Sequence, residues 1–243
     1  MSKKVINQNT NYDSELLNSI DSNFIFDENP INRLNNTTDN LEKGNSFDET
    51  DKEKELKELR LQINSINDCN LKDNSKKIVL GDGNINSPIM LVGEAPGADE
   101  DNAGQTFLGE VGDLLKKMLN AINIKKEDIY TTYAVNFRPP EDRKPTPTEI
   151  KRYSQFLQKQ ISIIKPKIII LMGSTAMESL TGLKNKISME RGKWKEIIVK
   201  NTNYNVIITF NPSYLLRVPE NKKYSWEDLK KIKQKITDLN LDI

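Results

Sequence analysis

The stretch Pro88-Ile89-Met90-Leu91-Val92-Gly93-Glu94-Ala95-Pro96-Gly97 decides how this chain is read. Pro88 to Val92 is a short apolar run bounded by proline and glycine, the pattern of a strand buried on both faces. Working outward, Val111, Leu114, Leu115, Met118, Leu119 and Ile122 recur at helical spacing, so the pattern predicts a helix over 111–122. Ile129 to Val135 reads as the next strand. Thr146, Pro147 and Glu149 then supply an N-cap, a first-turn proline and a capping-box acid for a helix running to Ile164. A strand over 167–172 stops at Gly173, and a short helix follows over 174–180. Strands over 197–199 and 206–210 come next, and Trp226, Leu229, Ile232 and Ile236 mark a closing helix. Strands alternating with helices imply an α/β layered fold with a largely parallel sheet.

Upstream, Leu56, Leu59, Ile63 and Ile66 fall three or four apart between charged residues, so the folded domain is expected to span 51–243. Residues 1–50 hold eleven Asn and no sustained apolar period, a composition that cannot offset ordering entropy and predicts a disordered polar tail. Two apolar patches in it, 15–20 and 24–34, read as docking peptides or transient helices. No apolar run is long enough to span a membrane, and the polar start lacks a signal-peptide core, so a cytoplasmic protein is expected.

The net charge of +1 hides an asymmetry: residues 1–60 carry 8 basic and 13 acidic side chains, and residues 61–243 carry 28 and 22. A mildly positive body suits an anionic partner such as nucleic acid, or simply a solvated mixed surface. The chain has no His, which excludes a Ser-His-Asp triad, an imidazole base and a His-ligated metal. Cys69 stands alone, so one chain can make neither a disulfide nor a self-contained thiolate cluster.

In a parallel sheet, ligands sit beyond the carboxyl ends of the strands, which directs attention to three loops. The first, GEAPGADEDNAGQTFLG over 93–109, combines small residues, four acids and Phe107 set between glycines. As a phosphate loop it lacks the Lys-Ser/Thr ending, and its carboxylates would repel phosphate. The second, NFRPPEDR over 136–143, is rigid and basic, and Arg138 and Arg143 suit a phosphate backbone. The third, NPSYLLR over 211–217, sets Leu215 and Leu216 before Arg217, as in a wedge pushed into a base stack or a helix whose leucines pack inward.

At these loops the chain resembles the uracil-DNA glycosylase superfamily, most closely its family 4, the iron-sulfur type. The resemblance runs from about Ile63 to the C-terminus on GEAPGADEDNAGQTFLG, FRPPEDRKP and NPSYLLR. It implies a three-layer α/β/α sandwich around a central, largely parallel four-stranded sheet. It also implies cleavage of the N-glycosidic bond of uracil in DNA, leaving an abasic site in base excision repair, by a monomeric protein whose partner is uracil-containing DNA.

Carried over by resemblance, Glu94 and Glu100 are the catalytic acids, with Glu100 preferred for the cation or the water, and Asn211 donates to the base. The backbone N–H groups of Ala95 and Gly97 are further donors, Phe107 stacks on the base, and Tyr133 stands at the base edge. Arg138, Arg143, Pro212, Ser213, Leu215 and Arg217 face the DNA. The sequence departs from the family in three ways. The positions of its four cluster cysteines are Ile66, Cys69, Phe137 and Tyr153, so no 4Fe–4S cluster and no other cofactor is expected. The family's loop His is Asn211. Its edge-reading Asn is Tyr133, and Asn136, three residues on, is expected to point to the opposite side of the strand. A glycosylase for uracil or another deaminated base, a noncatalytic DNA- or abasic-site-binding relative, and a nucleotide-binding module are the readings carried forward.

Overall fold

A computed structural model describes residues 49–67 and 69–243. The expected tail, except for Glu49 and Thr50 at its end, lies outside the described residues together with its two apolar patches. The first helix, α1 (Glu49–Asn64), buries Leu56, Leu59 and Ile63. A single turn, α2 (Asn70–Asp73), leads to a two-residue strand β1 (Asp82–Gly83) and then to β2 (Ile89–Gly93), the strand anticipated at PIMLV.

Helices α3 (Ala98–Ala103) and α4 (Gly109–Asn120) carry the chain to β3 (Tyr130–Tyr133), and α5 (Pro147–Ile164) crosses to β4 (Ile168–Met172). Two short helices, α6 (Ser174–Thr181) and α7 (Ile187–Glu190), precede a hairpin of β5 (Trp194–Val199) and β6 (Thr202–Thr209). The chain closes with α8 (Pro212–Arg217) and α9 (Lys222–Asp238).

The sheet order is β1-β3-β2-β4-β6-β5. The four central strands β3, β2, β4 and β6 are parallel, as expected, and the antiparallel strands β1 and β5 extend the sheet to six. Side chains alternate across it. Met90, Val92, Ile169 and Leu171 enter a core with Leu59, Tyr153, Leu157 and Met177 from α1, α5 and α6. Ile89, Leu91, Ile168, Ile170 and Met172 enter the opposite core with Leu115, Leu119, Leu215, Leu229 and Ile232 from α4, α8 and α9. Helices therefore cover both faces, and period-two burial on each central strand is what makes three layers.

The order of strands also locates a crevice. From β2 the chain moves outward to β3, and from β4 it moves the other way to β6, so the connections diverge between the carboxyl ends of β2 and β4. Gly93 ends β2 and Gly173 follows β4, which sets Glu94 and the start of α6 side by side at that point.

Candidate active site

A cleft of about 270 Å³ opens at these strand ends, lined by the 94–100 loop, Phe107, Tyr133, the Pro139–Pro145 segment, Asn211, Ser213 and Arg217. All three loops singled out in the sequence meet there. Glu94 is held at the crevice: its Oε1 accepts from the Thr175 backbone N–H at 3.1 Å and from Ser174 Oγ at 3.3 Å, both in the first turn of α6. The approach depends on Gly173, at φ +101°, where a Cβ would meet the Glu94 carboxylate at 2.6–2.8 Å.

Asn211 faces Glu94 from the third loop. Its Oδ1 accepts from the Ser213 N–H at 3.0 Å and so caps α8. That bond fixes which way round the amide sits, because the oxygen must meet the N–H. The Nδ2 group consequently points to Glu94 Oε2, at 3.5 Å. An amide carries two N–H bonds, so one remains for a ligand. Ala95 lines the same wall, and its N–H makes none of the loop backbone hydrogen bonds among the described residues.

Glu100 proves to be a clamp inside the loop. It is 6% exposed, its Oε2 accepts from the Gly97 N–H at 3.0 Å, and its Oε1 accepts from the Leu108 N–H at 3.0 Å. The preferred acid thus lines the cleft while tying the loop together, and the Gly97 N–H, expected to meet a base, donates to Glu100 instead. Tyr133 completes the arrangement. Its hydroxyl accepts from the Phe107 N–H at 2.9 Å and donates to Glu100 Oε1 at 3.3 Å. Burial and the adjacent Glu100 carboxylate push the phenol pKa well above its ordinary value, so it stays protonated.

Phe107 lies against that phenol with ring centroids 4.9 Å apart and planes tilted by 35°. It is 1% exposed and sits at φ +51°, a left-handed conformation that costs a bulky residue about 1–3 kcal/mol. The ring pair and the hydrogen bond to Tyr133 hold it there. Both rings require Gly93 beneath them, since a Cβ at that position would meet them at 2.6–2.7 Å.

The set expected from the sequence to face DNA divides. Arg143, Ser213 and Arg217 line the cleft, and Arg217 is exposed. Arg138 does not line it; its guanidinium is paired to Asp142 at 2.7 and 2.9 Å. Pro212 is buried in the first turn of α8. Leu215 is 1% exposed and belongs to the core shared with α4 and α9, so it is not the outward leucine; Leu216, 36% exposed, is. The short helix α8 turns one of two neighbouring leucines inward and its neighbour outward, a choice the sequence leaves open. Asn136 lies beyond the end of β3, donates to the Val79 carbonyl at 3.1 Å and does not line the cleft.

The sequence reading missed Lys144 and Asp142 at the rim, and Ser174 and Thr175 as holders of Glu94. Gly173 directly after the 167–172 strand was the available signal, because it ends a parallel strand at the crevice as Gly93 does.

The family model for the uracil DNA glycosylase superfamily matches residues 80–232. The chain belongs to the uracil DNA glycosylase superfamily. It is 39% identical over 168 residues to the Type-4 uracil-DNA glycosylase of Thermotoga maritima, an alignment that covers 68% of this chain and 86% of that protein. It is 34% identical over 181 residues to the Type-4 uracil-DNA glycosylase of Archaeoglobus fulgidus, covering 73% and 91%. Of the four positions that the sequence resemblance sets against cluster cysteines, Cys69, Phe137 and Tyr153 share one core and Ile66 packs against it. Cys69 Sγ lies 3.2 Å from the Tyr153 hydroxyl, Phe137 meets the Tyr153 ring edge-on at 6.2 Å, and Ile66 packs on the same core. A 4Fe–4S cluster needs four such ligands, and one thiol among two aromatic rings and an isoleucine does not fit it. Among the described residues no helix is long and apolar enough to cross a membrane.

Proposed function

We propose that this protein is a monofunctional DNA glycosylase that hydrolyses the N-glycosidic bond of uracil or another deaminated base, leaving an abasic site. The observation that carries the reading is the Asn211 amide, locked by its cap bond and aimed across the cleft at the Glu94 carboxylate. Breaking the bond sends its electron pair to the base, so negative charge grows on the base oxygen while the sugar becomes cationic. The second Asn211 N–H and the Ala95 N–H stabilise the first charge, and Glu94 the second. Water then adds to C1′ and gives up a proton to Glu94, while the departing base takes one from solvent. Glu94 takes this role in place of Glu100 because it is half-buried and stands beside the Asn211 amide, whereas Glu100 is 6% exposed and tied to Gly97, Leu108 and Tyr133 inside the loop. No step calls on an iron–sulfur group, whose ligands the chain lacks.

The Tyr133 hydroxyl is engaged on both sides, so it does not read a base edge. Discrimination then falls on shape and on the donors at the base oxygen, which supports a substrate class wider than uracil alone. The noncatalytic alternative draws on one observation: Phe107, the expected stacking ring, is 1% exposed and lies against Tyr133.

The deciding test is incubation of the protein with oligonucleotides bearing uracil, hypoxanthine or xanthine, single- and double-stranded, followed by alkaline cleavage. Asn211→Ala is expected to lower the single-turnover rate by ~10² with binding changed only a few fold, since the donor acts mainly in the transition state. If the wild type and Asn211→His both bind DNA yet leave all three bases intact, the protein is a binding relative instead.

A further inference from the structure

Beside the cleft lies a second cavity of about 620 Å³, between α6, α7 and the start of α9. It shares Lys144 with the first, and Ser174 at its border donates to Glu94 while standing 3.5 Å from Lys144 Nζ, so the two spaces adjoin. Their chemistry differs. The cleft has three carboxylates in its wall, whereas the second cavity is lined by Lys144, Lys186 and Arg191, by three aromatic rings and by no acid. The nearby Glu190 does not line the cavity; its carboxylate is paired to Lys195 and accepts from Asn185 of the cavity wall, at 2.8 Å from each.

Arg191 is mounted there by a buried device. Asp228, fully buried, accepts from the Arg191 guanidinium through both carboxylate oxygens and from Thr209 Oγ1 at 2.8 Å. The Tyr224 carbonyl accepts from the same guanidinium. Its carbon lies 5.8 Å from the Phe210 ring centre and 5.3 Å from that of Tyr224. Tyr224 is thus backed by Arg191, has Lys223 Nζ 5.0 Å from its ring centre, and is 43% exposed as a residue. Tyr214 is held by Asn221 at 2.7 Å and stacks on Phe210 at 5.0 Å. Asp228 neutralises Arg191, which leaves Lys144 and Lys186 to meet an anion, and fixed rings beside these two lysines form a stacking platform for a base with a seat for its phosphate. The size falls within the roughly 300–1,000 Å³ usual for a bound small ligand, ample for one nucleotide.

We propose that this cavity holds the nucleotide next to the one whose base enters the cleft, in an unpaired strand. The base stacks on Tyr224, and the phosphate between the two nucleotides lies on Lys144 and Lys186. The proposal rests on the glycosylase reading for which nucleotide occupies the cleft, but its binding chemistry can be tested alone.

The experiment is fluorescence anisotropy with undamaged single-stranded and duplex oligonucleotides across a salt series, with base release from a uracil oligonucleotide measured in parallel. Tyr224→Ala should weaken single-strand binding about 5- to 100-fold, in line with the loss of one stacked base, with Tyr224→Phe near wild type and duplex binding little changed. Lys186→Ala, a change on the exposed surface that leaves the core untouched, should lower the single-strand salt slope by about 0.7. Single-strand affinity and slope unchanged in both variants, or equal losses on duplex, overturn the subsite. A wild type that binds through Tyr224 but releases no base refutes the glycosylase reading and leaves the subsite intact. A wild type that releases base while both variants bind single strands normally does the reverse.

Discussion

Glu94 and Glu100 are six residues apart in one acidic loop, and their environments assign them opposite work. Glu100 accepts two backbone N–H bonds and the Tyr133 hydroxyl inside the loop, whereas Glu94 looks into the cleft with Asn211 beside it. Glu100→Ala strands two partly buried backbone donors and the buried Tyr133 hydroxyl and should cost roughly 3 kcal/mol of stability, read by denaturant unfolding. Glu94→Gln keeps the shape, should change stability by less than about 1 kcal/mol, and should lower base release by ~10² or more. Equal stability losses in the two variants would show that neither acid is reserved for the cleft. The sequence disclosed the loop and its residue types but not this division, because hydrogen-bond partners eight residues apart, as for Glu100 and Leu108, depend on how the loop closes. The same limit applies to Leu215 and Leu216, which are chemically identical and adjacent.

Elements were legible wherever one signal acted alone. The Thr146-Pro147-Glu149 signature is realised in full at α5: Glu149 N–H donates to Thr146 Oγ1 and Thr146 N–H to Glu149 Oε2. The hairpin was read short, with strands at 197–199 and 206–210 in place of Trp194–Val199 and Thr202–Thr209. Its first strand is the sheet edge and its second starts exposed, so polar residues interrupt the apolar run there. Strand β1 escaped notice because two residues, Asp82 and Gly83, carry no period. Glu149 adds a testable pH dependence, since Arg143 grips its carboxylate at 2.7 and 2.9 Å and lowers its pKa below 4.5. The folded state then binds fewer protons than the unfolded one, so this contribution is complete above about pH 4.5 and fades as pH falls through the depressed value. Thr146→Ala should cost about 1 kcal/mol at neutral pH. Glu149→Gln should flatten the acid limb of stability against pH, as measured by thermal melts from pH 3 to 7. An acid limb as steep as that of the wild type would exclude the Arg143 pair as its source.

On the scale of the whole molecule, the layered fold was readable because the central strands are buried on both faces, which forces continuous apolar runs such as Ile168–Met172. The charge asymmetry along the chain belongs to this scale too. Residues 1–48 hold 4 basic and 8 acidic side chains, a balance of −4, so a chain starting at Glu49 carries +5 against +1 for the whole. The family match at 80–232, both cavities and both cores lie within the remaining residues. A truncated protein starting at Glu49 should therefore melt within a few degrees of the full chain and release base at the same saturating rate. Its affinity for DNA should differ, because a polyanion senses net charge across a Debye length of ~10 Å at 0.1 M salt and ~3 Å at 1 M. Anisotropy at low salt should find the truncated form tighter by several fold, with the two curves converging as salt is raised. Tighter binding that persists at high salt would instead mean that the tail covers a DNA contact directly, and weaker binding would mean that it supplies one.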